Sequence, residues 1–249
     1  MILDDAHEHD IEEENYFVSM TDMMVGLVFI FIILLMYYAL QFRQVTDELT
    51  GADTTRAEIL AQIQASLKQK GVEVSIDTQN GVLRLPDKIL FDSGDDQLKI
   101  EGQENVAKLA EALEEVLPCY TRHQSGRAVP STCPASEHAI ESVYIEGHTD
   151  RDAFSGGGRD NWDLSVVRAT NTYRTLVAAR ADLSELCAMK GERCEPVLSV
   201  SGYGPQRPID PGETIEAKAR NRRIDLRIIM VAPDSGQTVR RVEQALNSR

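Results

Sequence analysis

The stretch Ile145-Glu146-Gly147-His148-Thr149-Asp150 decides the fold class, because it has the form of a strand that runs into a polar turn. On the helix predicted after it, Asn161, Ser165 and Arg168 are spaced four and three residues apart, so they share one helix face. We expect Asp150 and Arg168 to converge on one small zwitterionic ligand, since a guanidinium donates two parallel hydrogen bonds to a carboxylate. A structural ion pair between these two side chains is the alternative.

Short strands alternate with amphipathic helices on both sides of this stretch, which predicts an α/β or α+β domain over residues 80–231. The segment 120–137 contains Pro, Ser, Thr and Gly with little periodicity, so it is predicted to be a loop insertion. A tail follows over residues 232–249. The predicted strands are 81–85, 142–146, 197–201 and 224–231, and the predicted helices are 101–117 and 163–179.

A run of 18 residues without a charge, Met23–Leu40, has the composition of a membrane span. At about 1.5 Å per residue such a helix nearly crosses a hydrocarbon core, so a transmembrane helix is predicted over residues 21–42. The region before the run carries no Lys or Arg, and no small-residue cleavage site follows it, which favours an uncleaved anchor over a signal peptide. Since no cysteine near the N-terminus could carry a lipid, a lipoprotein is disfavoured.

Asp22 stands where the apolar run begins, and a carboxylate at membrane depth is a functional hypothesis in itself. One interpretation is that Asp22 binds and releases a transported cation; the other is that it caps the helix N-terminus at the interface. Because one helix cannot form an ion path alone, the first interpretation implies a multi-helix membrane partner. Gly26, one turn further on, would let another helix approach closely.

The net charge of −14 argues against nucleic acid as a partner, because phosphate binding needs a basic stripe that the sequence lacks. Much of the acidity lies in residues 1–20, which are predicted to form a solvated tail. An enzyme is also disfavoured, since no nucleophile has an adjacent base. A metal site at His148, Asp150 and Asp152 is disfavoured because no fourth ligand is in view.

The orientation of the membrane helix is contested by two signals. The positive-inside rule would place Arg43 in the cytoplasm, although one cation is a weak signal. Against it, the chain has four cysteines, an even number, as expected where disulfides form. Of three possible connectivities we favour Cys119 with Cys133 and Cys187 with Cys194, since each pair closes a short loop. Four buried thiols are the alternative.

The segment 43–79 between the membrane helix and the domain carries one apolar helical stripe. It predicts a linker helix that packs on something, and two sharper hypotheses are a dimer stalk and a plug that lies on the membrane at rest. The stripe consists of Val45, Leu49, Ala52, Ile59, Ile63 and Leu67.

The polar motifs of residues 80–231 closely resemble the OmpA-like peptidoglycan-binding domain. The resemblance rests on Gly147-His148-Thr149-Asp150, Asn161, Leu164-Ser165, Arg168-Ala169 and Asn221-Arg222-Arg223, which stand in the family's order. It implies a mixed sheet with packed helices. By resemblance, Asp150 and Arg168 hold the diaminopimelate of the peptide stem, and Asn161, Leu164 and Arg222 line or support that pocket.

A membrane helix opening with an Asp and followed by an OmpA-like domain is similar to the layout of the MotB-like family of flagellar stator proteins. With the cysteine-bearing insertion and Thr21-Asp22-Met23-Met24-Val25, the chain more closely resembles the ZorB family of the Zorya anti-phage defence system. This resemblance implies a single-pass inner-membrane protein with a cytoplasmic N-terminus and a periplasmic domain. It also implies peptidoglycan binding and a dimer inside five copies of a MotA-like partner, ZorA.

The same resemblance implies a rotary motor driven by a transported cation, expected to be H⁺, with no resident cofactor. Two alternatives stay open: the same motor used for motility, and a passive inner-membrane anchor of peptidoglycan that would not need Asp22.

Overall fold

The computed structural model describes residues 5–92, 94–154 and 158–232, and the side chains of residues 5–19 and 48 are outside that description. The chain divides into two compact units, Met1–Leu49 and Thr50–Arg249. Two predicted segments therefore lie partly outside the described residues: the C-terminal tail, after residue 232, and the acidic tail, for its first four residues and the side chains of the next fifteen.

Helix α1 runs over Asp5–Gln69 and contains all of the apolar run. Within the described residues it is the one helix long and apolar enough to cross a membrane, by length and composition. The large apolar side chains from Met23 to Leu40 are exposed in the first unit, so they need lipid or another helix to cover them. This arrangement fits a single-pass membrane protein.

The second unit begins with the C-terminal end of α1. Ile59, Leu60, Ile63 and Leu67 are buried in the same hydrophobic core as the sheet that follows. The domain boundary predicted at residue 80 leaves this stretch outside, whereas the compact unit starts at Thr50. The predicted stripe therefore packs, from Ala52 onward, on the domain of its own chain.

A five-stranded mixed sheet forms the centre of this unit. Its strands are β1 Ser75–Asp77, β2 Val82–Pro86, β4 Ile140–His148, β7 Leu198–Gly202 and β8 Arg223–Met230. Their order in the sheet is β1-β2-β8-β4-β7. β4 and β7 are parallel, because helix α3, Asn161–Ala179, lies between them in the chain and provides the crossover, and all other neighbours are antiparallel.

A second, three-stranded sheet has the order β3-β5-β6, with β3 Arg122–His123, β5 Leu186–Lys190 and β6 Arg193–Pro196. It arises where the predicted insertion 120–137 pairs with a hairpin later in the chain. Disulfides join Cys119 to Cys133 and Cys187 to Cys194, which are the pairs favoured from loop length, with Cα atoms 5.2 and 5.3 Å apart.

Three helices complete the domain: α2 Ile100–Val116, α3 Asn161–Ala179 and α4 Ile215–Asn221. The predicted mixed α/β fold is thus confirmed, and its predicted strands and long helices begin and end within two residues of the observed ones. A capping box fixes the start of α3: Asp160 accepts hydrogen bonds from the backbone amides of Trp162 and Asp163, and Asp163 accepts one from Asp160 N.

Gly147 brings the end of β4 against the first turns of α3. A Cβ at this position would overlap the carbonyl oxygen of Ser165, so only glycine allows the strand and the helix to approach this closely. Asp150, just after β4, is thereby held next to the polar face of α3.

Candidate functional site

Asp150 is buried in the turn that follows β4. Its Oδ2 accepts a hydrogen bond of 2.5 Å from Nη1 of Arg222, at the end of α4, and its Oδ1 accepts one of 3.1 Å from the backbone amide of Asp152. The acid predicted at the strand end is therefore present, and Arg222 is its partner.

Arg168 is buried in the middle of α3 and pairs with a different carboxylate. Its Nη1 lies 3.0 Å from Oδ1 of Asp87, and its Nε donates a 2.8 Å hydrogen bond to the carbonyl oxygen of Asp95. The guanidinium also sits over the ring of Phe91, 4.9 Å from the centroid. Arg168 and Asp150 were expected to converge on one ligand. In the structure Arg168 instead contacts another acid, Asp87.

Asp87 links the two halves of the site, because its Oδ2 lies 3.8 Å from Nε of Arg222. The four side chains Arg168, Asp87, Arg222 and Asp150 form an alternating series, which we call the charge chain. It is electrically balanced, as buried charges must be. Its members differ in access: 34% of the Arg222 side chain is exposed but only 3% of Arg168.

Burial raises the pKa of the Asp87 carboxyl, and the positive charges of Arg168 and Arg222 oppose that shift. Burial likewise lowers the pKa of Arg168, with Asp87 opposing. Each buried charge of the pair is thus stabilised mainly by the other, so loss of one would leave the other unpaired.

The other two predicted site residues support this arrangement. Nδ2 of Asn161 donates a 2.8 Å hydrogen bond to the carbonyl oxygen of Asp152, which ties the turn carrying Asp150 to the start of α3. Leu164 is buried, so it contributes packing.

A second cluster of charges is buried between β4 and β8, and the sequence motifs did not reveal it. One nitrogen of His148 and one oxygen from each of Glu146 and Asp225 lie within 4.8 Å of one another, close enough to hold a metal ion. However, Arg227 donates to both oxygens of Glu146 at 2.8 and 2.9 Å, and Arg223 Nε donates to both oxygens of Asp225.

The two guanidinium groups already balance these two carboxylates, so a divalent cation would meet two neighbouring positive charges. Burial raises the pKa of the Glu146 carboxyl, but the side chains of His148 and Arg227 outweigh this effect and hold that pKa at about 2. We therefore interpret this cluster as an internal ion-pair brace across the two strands.

A cavity of about 510 Å³ lies beside the charge chain, and Asp87 and Arg222 belong to both. Its lining combines apolar side chains with cations. The apolar residues are Pro86, Phe91, Ile209 and Ala219, and the cations are Arg84, Lys88, Lys99, Arg220, Arg222 and Arg223.

In the first unit, the position of Asp22 bears on its two interpretations. Helix α1 starts at Asp5, so Asp22 lies well inside the helix and does not cap its N-terminus. Apart from its chain neighbours and the backbone of its own helix, no described atom lies within 4 Å of a Cβ built on Gly26, so this part of the helix is open to a neighbour.

Comparison with known proteins gives a family match for the domain. Residues 132–222, which contain all five predicted peptidoglycan-binding residues, match the model of the OmpA family. Probable lipoprotein YiaD of Escherichia coli (strain K12) is 28% identical over 167 residues, covering 67% of this chain and 59% of that protein. Motility protein B of Bacillus subtilis (strain 168) is 26% identical over 185 residues, covering 72% and 58%.

The chain therefore spans less than two thirds of the length of either of these relatives. Among solved structures, a putative MotB like protein from Desulfovibrio vulgaris is 22% identical, covers 72% of this chain and 97% of its own, and has a TM-score of 0.49. The cell wall anchor of the T6SS from Pseudomonas aeruginosa is 20% identical, covers 70% and 97%, and has a TM-score of 0.45. The described domain has a mixed sheet with packed helices, and its residues 132–222 are OmpA-like.

Proposed function

We propose that this chain is a stator-like membrane protein that is anchored to peptidoglycan. The observation that carries the proposal is the charge chain, which presents an acid and a base side by side at the end of β4. The match to the OmpA family and the similarity to Motility protein B support it. Neither relative named above is described as an enzyme, and we propose no catalytic step.

The ligand we propose is the diaminopimelate of the wall peptide, whose free end carries an ammonium and a carboxylate on one carbon. Asp150 would accept hydrogen bonds from the ammonium. Arg222 would donate to the carboxylate, because its guanidinium is a third exposed whereas that of Arg168 is enclosed. Arg168 then acts through Asp87, which holds Arg222 in place.

The test compares meso-diaminopimelate with Nα-acetyl-L-lysine methylamide, which offers an ammonium but no carboxylate, by calorimetry on the full chain in detergent. We expect Asp150→Asn to abolish detectable binding of both ligands. Arg222→Gln should weaken the binding of diaminopimelate about tenfold and leave the binding of the lysine derivative unchanged, as expected for loss of one charge-assisted hydrogen bond. Arg174→Gln is the control, since Arg174 is an exposed arginine of α3 outside the charge chain. Equal binding of diaminopimelate by all four proteins would refute the assignment.

We further propose that Asp22 carries the ion, expected to be H⁺, against a multi-helix MotA-like partner. Its place inside an exposed apolar helix supports this, because a carboxylate there needs a partner helix or a water-filled path. The N-terminus would lie in the cytoplasm and the domain in the periplasm of the inner membrane. The two disulfides support that orientation, since disulfides persist in oxidising compartments.

Our proposal for the biological role is anti-phage defence, as the ZorB-like partner of ZorA in a dimer surrounded by five ZorA copies. It rests on the sequence resemblance of the membrane segment and of the insertion. The similarity to Motility protein B favours motility as the second candidate.

Phage protection by cells carrying the operon, compared with its Asp22→Asn variant, tests both the role and the ion carrier. We expect the variant to lose protection while it still assembles with its partner in the membrane. Protection that survives the substitution would refute ion transport by Asp22 and leave a passive anchor. An operon whose wild-type form never protects would point to motility.

A further inference from the structure

The cavity beside the charge chain is large enough to hold a ligand. The two charges of the diaminopimelate head, proposed to bind Asp150 and Arg222, would leave most of it empty. Its volume of about 510 Å³ falls within the range of roughly 300 to 1,000 Å³ that small-molecule sites occupy. Because Asp87 and Arg222 line it, a molecule held by Arg222 would extend directly into this space.

Several of the cations that line the cavity are already neutralised. Carboxylates bind three of the guanidinium groups: Asp77 contacts Arg84 at 2.6 Å, Asp225 contacts Arg223 at 3.0 Å and Asp210 contacts Arg220. The charges left for a ligand are those of Lys88, Lys99 and the exposed part of Arg222.

Lys88 is the freest of these cations. Its side chain is exposed and has no hydrogen bond or ion pair with any residue in the described part of the chain. Lys99 is more constrained, since its Nζ donates a 2.7 Å hydrogen bond to the carbonyl oxygen of Lys88 and lies 3.6 Å from Glu101. That hydrogen bond brings the two lysines to the same side of the cavity.

Two carboxylates on the lining oppose an anionic ligand, but they do not cancel these cations. The charge of Asp87 is already taken by the guanidinium groups of Arg168 and Arg222. Asp92 is exposed, so solvent screens it. The lining therefore keeps an excess of positive charge beside its apolar side chains.

We infer that this cavity binds a second carboxylate of the same wall peptide, with Lys88 as its partner. The inference rests on the proposed function, because it assumes that the diaminopimelate occupies Asp150 and Arg222. In the peptide stem the preceding residue is a γ-linked D-glutamate, whose α-carboxylate is free in some walls and amidated in others. The site would thus distinguish the free acid from the amide.

The reach required follows from the ligand's connectivity. The D-glutamate is joined to the other end of the diaminopimelate, so ten bonds separate the carbon held at Asp150 and Arg222 from the α-carboxyl carbon of the glutamate, about 12 Å when extended. Lys88 follows Asp87 directly, so their Cα atoms are about 3.8 Å apart, and Asp87 lies 3.8 Å from Nε of Arg222, which places the Cα of Lys88 within that span.

The experiment is calorimetric titration of the full chain in detergent with L-Ala-γ-D-Glu-meso-diaminopimelate and with its D-isoglutamine form. Free meso-diaminopimelate is titrated in parallel. We expect the acid form to bind about fivefold more tightly than the amide, as fits one partly exposed ion pair. Lys88→Gln should make the two peptides equal. Lys68→Gln, which removes an exposed lysine of α1 outside the cavity, should keep the preference.

Equal affinity of wild type for both peptides would overturn the inference. The proposed function would stay intact in that case if free meso-diaminopimelate still bound. A fivefold preference that survives Lys88→Gln would also overturn it. If a C-terminal amide, rather than D-isoglutamine, abolished the Lys88-dependent gain, the carboxylate would be the terminal one and the assignment to D-glutamate would be wrong. Failure of free meso-diaminopimelate to bind would instead refute the proposed function.

Discussion

Replacing Glu146 by Gln is expected to remove a pH-dependent part of the domain's stability. Glu146 lies on β4 with its side chain 2% exposed, and it accepts two hydrogen bonds from Arg227, at 2.8 and 2.9 Å. Glutamine keeps the size of the side chain but loses the charge and one acceptor. Arg227 would therefore keep one of its two hydrogen bonds to this side chain and lose the ion pair.

The magnitude follows from the pKa of Glu146, which drops from 4.5 to about 2 on folding. At about 1.4 kcal/mol per pKa unit, this shift corresponds to roughly 3 kcal/mol of stability. Since the folded-state pKa is the lower one, the unfolded chain binds more protons between these two values. The contribution is thus present above about pH 4.5 and is lost as the pH falls through about 2.

The assay is urea unfolding of the full chain in detergent, followed by the fluorescence of its single tryptophan, Trp162 in α3, at several pH values from 6 to 2. Wild type should exceed Glu146→Gln by about 3 kcal/mol at pH 6, and the difference should shrink towards zero near pH 2. Glu104→Gln, at an exposed position on α2, is the control and should show no such trend. A difference between wild type and Glu146→Gln that stays constant with pH would refute the reasoning.

Two further substitutions test the packing that supports the site. Gly147→Ala should destabilise the domain by about 2 kcal/mol, because the new methyl group would overlap the carbonyl oxygen of Ser165; an unchanged urea midpoint would contradict the close approach. Replacing Cys119 and Cys133 together by Ser should lower the free energy of unfolding by about 3 kcal/mol, since the bond closes a loop with a sequence separation of 14. A thermal melt that matches wild type would show that this disulfide does not constrain the unfolded chain.

The elements that the sequence predicted are those with a clear period. Helices α2 and α3 have apolar positions three and four residues apart, and the strands β2, β4, β7 and β8 are apolar runs bounded by turn residues. The missed strands β1, β3 and β6 have only two to four residues each, too few for a periodic signal. The missed β5 has five residues, as do the predicted β2 and β7, but it pairs with β6 and with the distant β3 in the second sheet.

The apolar stripe on the C-terminal end of α1 shows a related limit. Spacing revealed that Ile59, Ile63 and Leu67 share a helix face that must be buried. It could not reveal the surface that buries them, because a second copy, a membrane and the chain's own domain all offer apolar contacts. In the structure the domain itself covers these three side chains.

The same limit applies to the candidate site, where it changes the proposed chemistry. Helical spacing placed Asn161, Ser165 and Arg168 on one face but could not identify the acid that Arg168 contacts. That acid, Asp87, comes from the turn after β2 and belongs to none of the recognised motifs. A buried arginine needs a carboxylate, so a second acid was required once Asp150 had paired with Arg222.

The consequence concerns which arginine meets the ligand. Arg168 already donates to Asp87 and to the carbonyl oxygen of Asp95, and its side chain is enclosed. Arg222 keeps part of its guanidinium at the surface and shares Asp87 with Arg168. A carboxylate arriving at the site therefore meets Arg222 first, while Arg168 holds Asp87, and through it Arg222, in position. Loss of Arg168 should thus weaken binding indirectly, with loss of stability, whereas loss of Arg222 should weaken binding directly.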